Sequence, residues 1–185
     1  RRLGDLEETA FVNGSGSGLQ IRRAVEAAAD WGADVISCSF GSEYPDPDIA
    51  AAYRYANRKG CRIVSAAGNS GAPDDVNYPA RWKKPNGDVF LDSLAIGAYQ
   101  ENGTLAPYSS RGPEVDFIGP GTNIPSCWAR GGWANLSGTS MATPGVAGLL
   151  GLLIVRHWDL EGQAATPINT YDEIREHFRR AVKDI

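Results

Sequence analysis

The run Asp34-Val-Ile-Ser-Cys-Ser-Phe-Gly41 decides the fold, because it is a short apolar strand pattern with a helical pattern on either side. Before it, Leu19–Trp31 carries apolar residues at helical spacing. After it, Asp48–Lys59 begins in acid and ends in base, as the helix dipole favours. The next run, Cys61-Arg-Ile-Val-Ser-Ala-Ala-Gly68, is apolar again. Such runs, separated by helices, indicate buried parallel strands and an α/β fold.

Four further stretches continue this alternation, which predicts a parallel sheet covered by helices on both faces. A hairpin is predicted around Gly131-Gly132, and we expect the flanking Trp128 and Trp133 to pack against the core or an edge rather than to form an aromatic rim. The four stretches are strands at Leu94–Ala98 and Asp116–Gly119, an apolar helix at Ser140–His157 and a polar amphipathic helix at Tyr171–Lys183.

Composition and charge exclude several classes of protein. The 185 residues are 42% hydrophobic and 22% charged, which is typical of a soluble globular domain. A net charge of −4 argues against nucleic-acid binding, and the longest apolar stretch, Val146–Val155, is about half of a membrane span. Three cysteines argue against a disulfide framework, and Cys38 and Cys61 are expected to be small buried residues.

Both ends of the chain look cut. It opens at Arg1 with no initiator methionine or signal-peptide pattern, and it stops at Ile185 directly after a helical pattern. We therefore expect one domain over residues 1–185, incomplete on its N-terminal side and part of a longer protein.

Three glycine-rich places carry the chemistry, and each follows or joins an element of the predicted sheet. Ligands of open parallel sheets bind beyond the carboxyl ends of the strands. Gly68-Asn-Ser-Gly71 and Ser39-Phe-Gly41 end strands, and Gly138-Thr-Ser-Met-Ala142 opens the apolar helix. The serine at that helix start has two interpretations: an ordinary N-cap, or a nucleophile whose oxyanion meets backbone N–H groups and the helix dipole.

Four stretches together resemble the subtilisin-like serine proteases, the subtilases, and stand in that family's order. Leu136-Ser-Gly-Thr-Ser-Met-Ala-Thr-Pro-Gly-Val-Ala-Gly148 resembles the nucleophile motif. The resemblance extends from Gly14 to about Ala181. The other three stretches resemble the specificity-pocket strand at Val35–Gly41, the oxyanion segment at Val64–Gly71, and the stretch between the last core strands at Tyr108–Pro113 with Asp116–Gly121.

The resemblance implies a role for individual residues. Ser140 matches the nucleophile, and Asn69 matches the side-chain donor to the tetrahedral oxyanion, which stabilises the transition state more than the ground state. Two extended segments match those that hold the substrate peptide as an added strand. Phe40 with Ala66 and Ala67 favours large apolar or aromatic residues before the cut. The expected substrate-binding residues are Gly14, Ser15, Gly16, Ser39, Phe40, Gly41, Ala66, Ala67, Gly68 and Thr139.

The triad aspartate and histidine of the family are absent, because their motifs would lie upstream of Gly14. A serine nucleophile needs a base and a carboxylate that orients the base. His157 lies on the same predicted helix as Ser140, roughly 25 Å away at the helical rise, so it cannot reach the nucleophile. His177 lies among charged residues and is expected on a solvated helix face.

Three accounts of this absence remain open. The chain is a fragment of a serine endopeptidase with its aspartate and histidine upstream, a pseudoprotease or peptide-binding module, or a hydrolase with a different base. The first is favoured because both the Ser140 loop and Asn69 match the family pattern. This chain alone is then expected to be inactive.

The resemblance also implies the partners and the location. We expect a peptide or protein substrate, a missing N-terminal segment acting in cis or in trans, and a secreted or extracytoplasmic location. Hydrolysis by a serine triad needs no cofactor. We expect no metal site, because the loop carboxylates Asp74, Asp75 and Asp88 do not have the spacing of a calcium loop. Neither nucleic acid nor a membrane is expected as a partner.

Overall fold

A four-stranded parallel sheet forms the centre of the computed structural model, which describes residues 16–82, 92–128, 131–160 and 170–183. The strand order is β1-β2-β3-β4, and every neighbouring pair is parallel. This confirms the predicted parallel α/β fold. The strands are β1 (Val35–Cys38), β2 (Arg62–Ala66), β3 (Leu94–Tyr99) and β4 (Phe117–Pro120).

Among the described residues, four helices accompany the sheet, at bounds close to those predicted from the sequence. Ser17 caps the first helix, and its side chain accepts a hydrogen bond from the backbone N–H of Gln20, which completes a capping box. Asp46 caps the second, which has Pro47 at its first position. The helices are α1 (Gly18–Asp30), α2 (Pro47–Arg58), α3 (Thr139–Leu160) and α4 (Tyr171–Lys183).

The helices cover both faces of the sheet, as expected. Successive side chains of a strand point to opposite faces. In β2, Ile63 is buried in the cluster that contains α1 and α2, whereas the next residue, Val64, is buried in the cluster that contains α3 and α4. Each face of the strand therefore has its own apolar core.

The open edge of β1 and one face of α3 have no neighbour among the described residues. β1 pairs with β2 alone. On α3, Leu149 is 55% exposed and Leu152 is 67% exposed. A Cβ added to Gly145 or Gly148 on the same helix would meet nothing within 4 Å. An unpaired strand edge and an exposed apolar helix face are surfaces that proteins normally cover.

Helix α4 is tied to the sheet by Arg175, which is buried. Its Nε donates to Asp116 Oδ1 at 2.8 Å, and its Nη2 donates to Asp92 Oδ1 at 2.9 Å. A third bond joins Nη1 to Asp172 Oδ1 at 3.1 Å. Burial lowers the pKa of Arg175, but its hydrogen bonds to the buried carboxylates Asp92 and Asp116 outweigh that effect and raise it above its ordinary value.

The three cysteines are free. Cys38 and Cys61 are buried, as predicted, and Cys127 is exposed. Burial raises the pKa of the Cys38 thiol to about 12, so it behaves as a small apolar residue rather than as a thiolate. No helix in the described part of the chain is long and apolar enough to cross a membrane.

The predicted hairpin before the Ser140 loop is present, with β5 (Ile124–Cys127) antiparallel to β6 (Trp133–Leu136). Trp128 is 54% exposed and Trp133 is 77% exposed. The expectation that both would pack against the core or an edge is therefore wrong. The physical reason is that β5 and β6 belong to a separate two-stranded sheet and not to the central sheet, whose strands carry the buried core.

Candidate active site

Ser140 lies in the first turn of α3, where its backbone is tied to the sheet. Pro144 stands four residues later and has no N–H, so it cannot donate the usual helical hydrogen bond to the Ser140 carbonyl. Ser39, just beyond β1, takes its place: its Oγ donates to the Ser140 carbonyl at 2.9 Å. In return, the Ser140 Oγ donates to the Ser39 carbonyl at 3.4 Å. The position of the Ser140 hydroxyl is thus set by the end of a strand.

Asn69 follows β2, and its carboxamide is held in one orientation by Thr139. Its Oδ1 accepts hydrogen bonds from the Thr139 N–H at 2.9 Å and from the Thr139 hydroxyl at 3.1 Å. The amide nitrogen Nδ2 is then the free end of the group, and it has no hydrogen-bond partner among the described residues. Asn69 therefore presents an unused N–H donor close to the start of α3.

The loop that carries Asn69 is held from behind by the segment around Tyr108. The Ser110 N–H donates to the Gly68 carbonyl at 3.0 Å, and the Gly71 N–H donates to the Tyr108 carbonyl at 2.8 Å. Gly68 has φ +114°, and a Cβ there would lie 2.8 Å from Ser110 Oγ. Only glycine fits this turn without a shift of its neighbours. The donor of Asn69 thus stands on a rigid support.

A cavity of ≈ 440 Å³ lies beside Ser140. Most of the predicted site residues line it, although they come from three distant segments. Ala67 does not: its side chain is fully buried with Val76 and Ala95, because it faces away from the neighbouring Ala66. Gly16 is not in the lining, and Gly14 and Ser15 lie outside the described residues. The predicted residues in the lining are Ser39, Phe40, Gly41, Ala66, Gly68, Asn69, Thr139 and Ser140.

Four lining residues were not predicted as site residues from the sequence: Glu43, Ser70, Asp75 and Asn77. Ser70 directly follows Asn69, so its place beside the cavity could have been predicted from the sequence. The other three come from irregular segments whose approach to the cavity depends on long-range pairing. Ser42 and Tyr78 form an isolated antiparallel bridge that brings the two segments together.

Neither histidine reaches the cavity in the described structure. α3 is one continuous helix from Thr139 to Leu160, so His157 stays far from Ser140 along its axis. His177 is exposed on α4, as expected. No histidine lines the cavity among the described residues, and the hydrogen-bond acceptor there for the Ser140 hydroxyl is the Ser39 carbonyl, which is not a base. The geometry therefore brings a serine hydroxyl and a side-chain amide, without a bonded acceptor in the described part of the chain, to the same cavity.

Comparison with known proteins identifies the family. The model of the subtilase family, Peptidase_S8, matches residues 7–181. The chain belongs to the subtilase family. Among curated subtilases, it is 42% identical to halolysin of Haloferax mediterranei over 146 residues. These aligned residues make up 78% of this chain and 26% of halolysin. It is 37% identical to thermitase of Thermoactinomyces vulgaris over 164 residues, and this alignment covers 88% of this chain and 55% of thermitase.

Solved structures give the same result. Sphericase superimposes with a TM-score of 0.73 and 31% identity over 91% of this chain and 56% of sphericase. The self-cleaved protease domain of PatA superimposes with a TM-score of 0.70 and 28% identity over 86% of this chain and 58% of that domain. The chain thus spans about half, or less, of the subtilases that it matches.

Proposed function

We propose that this chain supplies the nucleophile and the oxyanion donors of a serine endopeptidase. The observation that carries the proposal is the orientation of Asn69. Its Oδ1 is taken up by Thr139, the residue before Ser140, which leaves Nδ2 free at the cavity. A peptide-binding module would have no use for a donor fixed in this way. Membership of the subtilase family supports the same reaction.

In the proposed reaction, the Ser140 Oγ attacks the carbonyl carbon of the scissile peptide bond. The hydroxyl proton passes to a base outside the described residues, and the carbonyl oxygen gains negative charge. Asn69 Nδ2 and the Ser140 N–H donate hydrogen bonds to that oxygen, since the N–H groups of Thr139 and Met141 are already bonded. Collapse of the tetrahedral intermediate breaks the C–N bond, and the base returns the proton to the leaving amine, which leaves the acyl group as an ester on Ser140 Oγ. Water then attacks this ester with the base as proton acceptor; the C–O bond to Oγ breaks, the base returns the proton to Oγ, and the carboxylic acid product leaves.

The base and its carboxylate are proposed to belong to an upstream segment of the same protein, joined in cis or bound in trans. That segment would pair with the open edge of β1 and cover the face of α3 that exposes Leu149 and Leu152. Burial of this face would drive the association. A secreted or extracytoplasmic location is proposed on the family resemblance alone.

The experiment compares the isolated chain with the chain plus its upstream segment, linked or added. Peptide hydrolysis and labelling of Ser140 by a fluorophosphonate are measured. We expect neither from the isolated chain and both once the segment is present, because an unassisted serine hydroxyl is a weak nucleophile at neutral pH. Peptide mapping provides the control, since the exposed Ser137 should stay unlabelled.

Two results would contradict the proposal. Robust hydrolysis by the isolated, monomeric chain would favour a different base. Folded protein that contains the upstream segment and hydrolyses no peptide would favour the pseudoprotease.

Asn69→Ala is expected to lower kcat about 10²- to 10³-fold in the active protein and to leave KM nearly unchanged. This is the size of the effect known for the oxyanion asparagine of subtilisin, another member of the family. The physical reason is that the hydrogen bond from Nδ2 is strong only when the carbonyl oxygen carries charge. Steady-state kinetics on one peptide substrate measure both constants.

Asn69→Asp separates the two roles of this side chain. The aspartate can still accept from Thr139, but it has no N–H donor and adds a negative charge beside the oxyanion. We expect it to be at least as slow as the alanine variant. Recovery of kcat in Asn69→Asp would make Asn69 an anchor for Thr139 only. Asn102→Ala, in a turn where Asn102 bonds to Thr104, is the matched control.

A further inference from the structure

The turn that follows β3 carries the tripeptide Asn102-Gly-Thr104. This is the acceptor motif of N-linked glycosylation, in which an asparagine stands two residues before a serine or threonine with no proline between them. Every residue from 101 to 105 is exposed. The turn is closed at its base, where the Gln100 N–H donates to the Thr104 carbonyl at 2.8 Å. The motif therefore lies on a short, closed turn at the surface, where a bulky modification can be reached.

The hydrogen bonds within this turn leave the reacting atom of the motif free. Asn102 Oδ1 accepts hydrogen bonds from the Thr104 N–H at 3.0 Å and from the Thr104 hydroxyl at 2.7 Å. Asn102 Nδ2, the atom that carries an N-linked sugar, has no hydrogen-bond partner among the described residues. A Cβ added to Gly103, the middle residue, would meet nothing within 4 Å. The turn thus has open space beside it and an amide nitrogen that is not used by the fold.

A second tripeptide of the same type, Asn135-Leu-Ser137, has a different geometry. Asn135 lies in β6, where it pairs with Pro125 of β5. The extended backbone of a strand carries the third residue of the motif away from the first. The Ser137 Oγ accepts a hydrogen bond from the Asn123 N–H at 2.9 Å. The structure therefore distinguishes two motifs that the sequence makes equivalent. A third, Asn13-Gly-Ser15, lies outside the described residues.

We propose that Asn102, and not Asn135, is a site of N-glycosylation that receives an oligosaccharide from a lipid phosphate or pyrophosphate carrier. Asn102 Nδ2 attacks the anomeric carbon of the first sugar. A C–N bond forms, and the bond from that carbon to the phosphate oxygen breaks with its electron pair on the phosphate. The transferring enzyme accepts one amide proton. The inference rests on the proposed extracytoplasmic location and is independent of the hydrolytic reaction.

The test maps the sugars on the protein when it is produced with its upstream segment and secreted by cells that carry out N-glycosylation. Peptide:N-glycosidase in heavy-oxygen water leaves a labelled aspartate wherever a sugar was attached, and peptide mass spectrometry locates the label. Asparagine that deamidated before this treatment carries no heavy oxygen. We expect the label at residue 102 and not at residue 135. Folded, secreted protein without a label at residue 102, or with equal labelling at the two positions, overturns the proposal.

Variants of the motif assign the sugar to the turn. Asn102→Gln and Thr104→Ala should each lose the sugar at residue 102, whereas Thr104→Ser should keep it, because serine retains the hydroxyl that the motif requires. Asn135→Gln is the matched control, since it makes the same substitution in the other motif, and it should retain the sugar at residue 102. Retention of that sugar in Thr104→Ala, or its loss from folded Asn135→Gln, would contradict the assignment.

Peptide hydrolysis is measured on the same samples. Residues 100–104 are not in the lining of the cavity beside Ser140, so Asn102→Gln should leave kcat unchanged. A sugar at residue 102 on protein that hydrolyses no peptide would leave the modification intact and refute the endopeptidase. Hydrolysis by secreted protein without that sugar would refute the modification and leave the endopeptidase intact.

Discussion

Ser140→Ala in the active protein is expected to abolish peptide hydrolysis while the chain remains folded and still binds peptide. Loss of the nucleophile in subtilisin, a relative in the same family, lowers kcat about 10⁶-fold, and we expect a loss of similar size here. The remaining rate would come from the oxyanion donors and from binding, which do not depend on the hydroxyl. The measurement is kcat on a peptide substrate, with the Kd of a product peptide measured beside it.

The structure provides a sharp control for this variant. Ser39→Ala removes the hydroxyl that donates to the Ser140 carbonyl, but it leaves the Ser140 hydroxyl in place. Its effect on kcat should be far smaller. If Ser140→Ala kept most of its turnover, Ser140 would not be the nucleophile. Equal losses in the two variants would show that the Ser39 hydroxyl is as necessary as that of Ser140 and would contradict a role for Ser39 in positioning alone.

Arg175→Met is expected to lower the free energy of unfolding by about 3–5 kcal/mol. The side chain is replaced by one of similar length, but Asp92 and Asp116 keep their charges in a buried place without the guanidinium that joins them. Removal of one partner from a buried ion pair costs more than the pair contributes, because the remaining charges are left desolvated. Urea denaturation followed by tryptophan fluorescence measures the change.

Arg179→Met is the matched control, since it makes the same substitution on the same helix at an exposed position. It should change the free energy of unfolding by no more than about 0.5 kcal/mol. A loss below about 1 kcal/mol in Arg175→Met, or equal losses in the two variants, would show that the buried cluster does not hold α4 in place.

Much of the fold was predictable because the local patterns agree with the tertiary structure. The strand pattern at Asp34–Gly41 contains β1, and the helix predicted over Tyr171–Lys183 has those bounds in the structure. Ile63 and Val64 show why an unbroken apolar run predicts a parallel strand: each faces a different core. The glycine and the serine of the Ser140 loop could also be predicted, because they belong to one continuous sequence motif.

Long-range contacts were not readable from the sequence. Arg175 stands in a polar helix pattern that predicts exposure, yet three aspartates from two other segments and its own helix surround it. Asn77 reaches the cavity because its neighbour Tyr78 pairs with Ser42, far back in the chain. A periodic sequence pattern cannot predict such long-range contacts, because they depend on where the strands end in the folded chain.

The proline at position 144 has a mechanical consequence. In a regular helix, the carbonyl groups of the first turn accept hydrogen bonds from the N–H groups of the second turn, so the two turns move together. The Ser140 carbonyl lacks this hydrogen bond because Pro144 has no N–H, and it accepts one from the hydroxyl of Ser39 just beyond β1 instead. We therefore expect Ser140 to keep its position relative to Asn69 when α3 shifts slightly against the core, because the bond to Ser39 ties Ser140 to the end of β1.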